Sequence, residues 1–444
     1  MLREVEPVAR RRQLPPMAYL LLGVTLFLVL FGALMVYSAS SVADYADSDI
    51  ADSAFHLKKQ LLFAAIGALA LVLASRWDFR AGKPGTLDIR RPEVVAWALW
   101  GVSLLGLIVV EAMGVGKWGA IRSIDLGFVT LQPSEFAKLG CLAVIAVQLV
   151  AWRKGAIDDR ALLIRLAAVL GPVVLLIMLQ PDMGTTMSLV LGVIVLLWLS
   201  GVRGRWFALL GAVGVPSVGL MIMLAGYRMD RVQAFLDPWA DPQRGGYQII
   251  QSLYAFGSGG ALGVGLGLSR QKFFYLPAAH TDFIFAVIGE ELGLLGTLAV
   301  VIAFALFAYA GMRIALDCKD LFGRLLAGGL TAMIVVQAVM NMAAVTGLMP
   351  ITGIPLPFMS AGGSSLTLTL ACVGLILAVA RNSSGSRMRL VRPTKTRGSE
   401  RASSDEWRWD RGPHLPGAHG GRHCRAIAAV SQHAASRLGR RGSR

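Results

Sequence analysis

Charge is what this sequence has least of. Only 16% of its 444 residues are Asp, Glu, Lys or Arg, against about 25% in an ordinary soluble domain. Hydrophobic residues make up 55%, and the mean hydropathy is +0.61. That balance excludes a soluble globular chain and makes membrane spans, rather than soluble domains, the units to count. Cysteine is scarce too. Cys141, Cys318, Cys372 and Cys424 show no metal-ligand spacing, two of them fall in apolar segments, and no disulfide framework is indicated. His419, His423, Cys424 and His433 lie in a tail rich in Arg, Gly, Ser, Ala and His, whose composition reads as disorder rather than a metal site.

Acidic residues are outnumbered 27 to 43, giving a formal charge of +16. A nucleic-acid partner is not implied, because roughly +11 of this lies from Arg381 onward. A basic, core-poor tail beside a membrane meets anionic head groups instead. The glycine-rich stretch "GSGGALGVGLGLS" has no strand–loop–helix context and no Gly-Lys-Ser/Thr ending, so it is not a nucleotide loop.

What is present is a series of apolar runs. Ten are long enough to cross hydrocarbon as helices: 18–38, 59–76, 93–113, 132–152, 161–179, 184–201, 206–226, 282–311, 322–346 and 363–381. The first follows Arg10, Arg11 and Arg12, but its core from Ala18 to Val36 exceeds a signal-peptide core and reads as a retained anchor. The eighth is too long for one perpendicular span. Arg and Lys crowd alternate loops, around Arg76–Arg91, Arg153–Arg160, Arg203–Arg205 and Arg313–Arg324. The positive-inside bias then puts both termini in the cytoplasm. The expected organisation is an all-α polytopic protein: a cytoplasmic segment 1–17, a ten-helix membrane unit 18–381 with a large outer loop 227–281, and a basic tail 382–444.

Polar residues collect at the outer ends of these spans. Asp282 stands where the outer loop re-enters the membrane, with His280 two residues before it and Glu290 and Glu291 about two turns further in. Ionisable groups near hydrocarbon need a partner, a wet cavity or a function. In "LQPSEFAKL", Pro133 suits a first helical turn and places Glu135 and Lys138 three apart on one face. The two can neutralise each other within a bundle or form a charged wall for a polar head group. In "LQPDMGTT", Asp182 reads first as a helix cap. Lys117 and Arg122, before the fourth span, could receive a pyrophosphate or merely meet lipid phosphates. Gln248 and Gln251 lie one turn apart in an apolar, glycine-rich part of the outer loop. That part could dip into the membrane if protein or water satisfies its backbone.

Four stretches, "LQPSEFAKL", "QPDMGTT", "GYQIIQSLYAFGSGGALGVGLGLSRQKFFYLPAAHTDFIFAVIGEELG" and "NMAAVTGLMPITGIPLPFMSAGGSSL", resemble in order the signatures of the SEDS family (shape, elongation, division and sporulation), from about residue 18 to 381. "MVYSAS" and the segment around "HTDFIF" are most similar to the division member, whereas "PITGIPLPF" is closer to the elongation member. The resemblance implies a peptidoglycan glycosyltransferase of the bacterial cytoplasmic membrane, placed at the division septum. It would polymerise lipid II into β-1,4 glycan with inversion and release undecaprenyl pyrophosphate. A class B penicillin-binding transpeptidase and other division proteins are the implied partners. The family's essential aspartate matches Asp282, its Glu and Lys match Glu135 and Lys138, and its QPD aspartate matches Asp182. Two departures are visible: "WGAIRS" keeps Ala120 and Arg122 but lacks the family's tryptophan, and Ala361 replaces the tyrosine before "GGSS".

The implied reaction needs a base for the attacking sugar hydroxyl, a role open to Asp282. The leaving pyrophosphate needs cations, from Lys138, Arg122 and Lys117 or from a divalent metal such as Mg2+ or Mn2+. No cofactor is fixed by the residues. Two other classes stay open on the residues alone: a lipid II flippase, which predicts polar groups at mid-membrane and on both faces, and a structural division scaffold.

Overall fold

The computed structural model describes residues 14–46, 52–79, 91–113, 123–125, 130–223 and 226–384. Lys117, Arg122 and the basic tail from residue 385 lie outside the described residues. Within hydrocarbon every backbone polar group must be satisfied by the protein, and each apolar run meets that demand as a helix. In chain order these are α1 (Pro16–Ala46), α2 (Phe55–Ser75), α3 (Pro92–Met113), α4 (Pro133–Arg153), α5 (Asp159–Leu179), α6 (Met183–Ser200), α7 (Gly204–Met223), α8 (Gly226–Leu236), α9 (Tyr247–Gly259), α10 (Ile284–Asp317), α11 (Leu321–Val345) and α12 (Gly363–Ser384). A two-residue antiparallel ladder, Ile124–Asp125 against Thr130–Leu131, precedes α4.

Among the described residues, nine of these helices are long and apolar enough to cross a membrane. The remaining expected span, 206–226, is helical over Gly204–Met223. α4, α11 and α12 form the enclosed centre, while α2, α3 and α5 turn most of their surface outward. α2 packs on α12, α3 on α4, α1 and α11 on α10, and α6 on α11. Successive spans alternate in direction, so the starts of α4, α6 and α10 share one end of the bundle with the finish of α1 and α11.

α10 resolves the over-long eighth segment. Its 34 residues are interrupted at Gly293, whose φ of 64° and ψ of −157° suit glycine alone. The break frees backbone groups, and the glycine-rich loop before it supplies partners. Val264 and Gly265 N–H donate to the Glu290 and Glu291 carbonyls at 3.0 Å each, while Leu294 N–H donates to Gly260 O at 2.9 Å. The loop therefore lies along the break in α10 and pairs backbone with it there, while Leu262, Leu266 and Leu268 stay exposed.

Glu290 and Glu291 fasten this loop. Both are buried. Glu291 accepts from Ser38 Oγ on α1 at 2.6 and 2.7 Å and from Ser269 N at 3.3 Å, with Lys272 Nζ 3.6 Å away. Glu290 accepts from the Ser269 hydroxyl, from Arg270 N at 2.9 Å and from Gln271 N at 3.3 Å. Buried carboxylates persist when paired and hydrogen-bonded. These two bind loop, α1 and α10 together.

Candidate active site

The start of α4 presents the ion pair that the three-residue spacing predicts. Lys138 Nζ lies 2.8 Å from Glu135 Oε1, with side-chain exposures of 1% and 6%. Lys138 also donates to Gln337 Oε1 on α11 at 2.7 Å, and Ser365 Oγ on α12 donates to Glu135 Oε2 at 3.4 Å. The pair is thus enclosed by the three central helices. Asp182 is the N-cap of α6: its carboxylate accepts from Thr185 N at 3.0 Å and from Thr185 Oγ1 at 2.7 Å. Gln132 Nε2, at the foot of α4, reaches Asp182 Oδ2 at 3.5 Å, which brings the two Gln-Pro motifs side by side.

A second tier leads to Asp282. Gln337 and Asn341, one turn apart on α11, hold the loop between α11 and α12: Gln337 Nε2 donates to Pro355 O at 3.0 Å and Asn341 Nδ2 to Ile354 O at 2.8 Å. Asn341 Nδ2 also reaches Asp282 O at 2.8 Å. Ser360 Oγ donates to Thr281 O at 2.6 Å, and Ala361 N to His280 O at 3.0 Å. The chain of contacts from Glu135 through Lys138, Gln337 and residues 354–361 therefore ends on the backbone of Asp282. Asp282 itself is partly exposed, just before α10.

A third group backs His280. α1 continues to Ala46, beyond its expected end at 38, and so carries Asp44 to the same end of the bundle, buried and bonded to Ser40 Oγ at 2.9 Å. Asp44 also takes the ring Nδ1 of His56 and the His56 backbone N–H. The His56 ring centroid lies 4.6 Å from that of His280. Burial, reinforced by nearby His56 and opposed by Asp44, pushes His280 down to about 4, so it is neutral at pH 7.

Gln248 and Gln251 sit half-buried on α9 and make no hydrogen bond to this group among the described residues. No three His, Cys, Asp or Glu side chains among the described residues come together to hold a metal ion. Gln337, Asn341, Ser360, Asp44 and His56 join the candidates only through the structure.

The sequence model of the cell cycle protein family that covers FtsW, RodA and SpoVE matches residues 18–385. The chain belongs to this family. It is 41% identical over 371 residues to stage V sporulation protein E of Bacillus subtilis, covering 82% of this chain and 97% of the relative. It is also 41% identical over 371 residues to a probable peptidoglycan glycosyltransferase FtsW of Trichlorobacter lovleyi, covering 81% and 92%. Among solved structures it is similar to a chain of a peptidoglycan synthase complex studied for the coordination of polymerization and crosslinking. There the TM-score is 0.64 and the identity 33%, over 82% of this chain and 97% of the other. The rod shape determining protein RodA of Thermus thermophilus gives a TM-score of 0.58 at 29% identity, over 82% and 96%. The four motifs of this family member are the same four stretches that supply the candidate site: "QPSE" and "QPD" at the feet of α4 and α6, "HTD" before α10, and the loop from Ile354 to Ala361, which is bonded to residues 280 and 281.

Proposed function

We infer that this chain is a membrane peptidoglycan glycosyltransferase that polymerises lipid II, working in cell division with a class B penicillin-binding transpeptidase. The observation that carries the reading is the convergence just described. Glu135–Lys138 and Asp282, from segments far apart in sequence, are tied into one network at one end of the bundle. The Arg/Lys bias of the loops assigns that end to the outside, and both termini to the cytoplasm.

In this reaction the 4-hydroxyl of the acceptor N-acetylglucosamine attacks the anomeric carbon of the lipid-linked donor chain. The bond from that carbon to the pyrophosphate oxygen breaks, undecaprenyl pyrophosphate leaves, and an α-linkage becomes β-1,4. One inversion needs one displacement and no covalent enzyme intermediate. Asp282 takes the hydroxyl proton, a contribution of about 10²–10⁴-fold for a well-placed general base. His280, neutral at pH 7, does not quench that carboxylate with a fixed positive charge. Glu135 and Lys138 form the wall of the head-group site. Enclosed as it is, Lys138 acts on the leaving group by its field, while Arg122 and Lys117 make the direct phosphate contacts. The half-buried Gln248 and Gln251 line the approach, and Asp182 acts indirectly by holding the start of α6.

The test is purified protein with its transpeptidase partner, incubated with labelled lipid II in detergent. The expected product is a glycan ladder on a gel that muramidase digests. Lipid II that stays monomeric with folded protein, but crosses the bilayer of a proteoliposome, would establish a flippase instead.

A further inference from the structure

The carbonyls of His280, Thr281 and Asp282 precede the first helical acceptor of α10: Ala286 N–H already turns to Phe283 O at 2.9 Å. Three successive acceptors are thereby left outside the helix, and buried carbonyls left unpaired are costly. Each finds a donor from the same neighbourhood. Ala361 N–H takes His280 O at 3.0 Å, Ser360 Oγ takes Thr281 O at 2.6 Å, and Asn341 Nδ2 takes Asp282 O at 2.8 Å.

The last two bonds differ in kind from the first. The Thr281 carbonyl belongs to the peptide plane on one side of the Asp282 Cα, and the Asp282 carbonyl to the plane on the other side. A peptide unit is rigid and planar, so holding one atom of each plane restricts how the chain can turn at Asp282, and with it the direction in which Cβ leaves the chain. We propose that Ser360 and Asn341 are positioning residues that aim the Asp282 carboxylate by clamping the two peptide planes that flank it. This rests on the reading of Asp282 as the general base.

The clamp is mounted on rigid parts. Asn341 and Ser360 are both buried. Asn341 shares its amide between Asp282 O and Ile354 O, and Ser360 Oγ accepts from Leu356 N at 2.7 Å while it donates. Phe358, in the same loop, packs its ring 5.5 Å from that of Phe307 on α10. A Cβ on Gly32 of α1 would come within 2.5 Å of Met359 Cα, so α1 lies close against the loop. Proton transfer demands hydrogen-bond reach, and a displacement of about 1 Å can cost on the order of 10²-fold in rate.

The experiment measures kcat and KM for lipid II polymerisation by Ser360→Ala, in the parent and in the Asp282→Asn background, at equal folded concentration. The expected result is a loss of about 10- to 100-fold in kcat with KM little changed in the parent. In the Asp282→Asn background no further loss is expected, because no base remains to be aimed. Ser360→Thr, which keeps the hydroxyl, is expected to recover most of the rate. Should Ser360→Ala fail to fold, Asn341→Ala replaces it in the same comparison. Parental kcat in Ser360→Ala, or an equal loss in both backgrounds, would overturn the clamp while leaving Asp282 its role. Full activity of Asp282→Asn alone would remove the base, and the clamp with it.

Discussion

Replacing Lys138 by Met should do more damage than removing the whole Glu135–Lys138 pair. The ammonium is 1% exposed and serves two acceptors, Glu135 Oε1 at 2.8 Å and Gln337 Oε1 at 2.7 Å. Without it, the Glu135 carboxylate keeps the Ser365 hydroxyl at 3.4 Å as a weak neutral donor. Breaking one side of a buried pair costs about 3–5 kcal/mol, and the amide oxygen of Gln337 loses a donor at about 1–3 kcal/mol. Together these are a large share of the roughly 5–15 kcal/mol that holds a fold together. The double replacement Glu135→Gln/Lys138→Met leaves no orphaned charge. It should cost only about 1–3 kcal/mol, the loss of the Gln337 donor, since neutral groups often replace a buried pair at little cost. The two changes should therefore be non-additive by at least about 2 kcal/mol. Thermal unfolding in detergent, followed by size-exclusion recovery, ranks the parent, the two single replacements (Lys138→Met and Glu135→Gln) and the double. The folded double variant is further expected to lose at least tenfold in polymerisation, because the wall of the head-group site has lost its charges. A Lys138→Met protein as stable as the parent would refute the burial argument, and parental turnover by the double variant would refute the substrate role.

Three further outcomes are expected. His280 is held near 4 against 6.5 when free. Between those pH values the unfolded chain therefore binds a proton that the folded one refuses, and stability falls as pH falls, by at most about 3 kcal/mol. His280→Gln should flatten that part of the pH–stability curve, and an unchanged slope would contradict the assignment. Gly293→Ala forces an alanine into a left-handed conformation with its Cβ 2.4 Å from Gly263 N. The backbone strain alone costs about 1–3 kcal/mol, so a sharp drop in thermal recovery is expected, and parental recovery would mean that the break tolerates a side chain. A chain ending at Arg397 should polymerise at the full rate in detergent, because the removed tail is core-poor and basic and is assigned to the cytoplasmic side. A large loss would reveal coupling across the membrane.

The helices were legible because hydrocarbon allows few alternatives, and long apolar runs between basic loops mark them out. Two features were not. The apolar run of the first span stops at residue 38, but α1 continues two more turns to Ala46, where Ser40 and His56 satisfy the Asp44 carboxylate. The break at Gly293 depends on pairing with residues 260–265, about thirty positions away, which no local pattern announces. At the site, the spacing of Glu135 and Lys138 predicted their contact, and Asp182 caps its helix as its motif suggests. Gln337 and Asn341 were accessible by the rule that draws attention to Gln248 and Gln251, two amides one turn apart on an apolar helix. Ser360 was not, since nothing about a serine in an uncharged loop says which carbonyl it will meet.

The most direct measurement is the rate of glycan synthesis from lipid II by Asp282→Asn, at equal folded concentration and with the partner bound. The substitution keeps the shape of the side chain and removes its basicity. The predicted result is a loss of about two to four orders of magnitude, with unfolding temperature and partner binding close to the parent's. Near-parental polymer formation by the folded variant would contradict the assignment of Asp282 as the base.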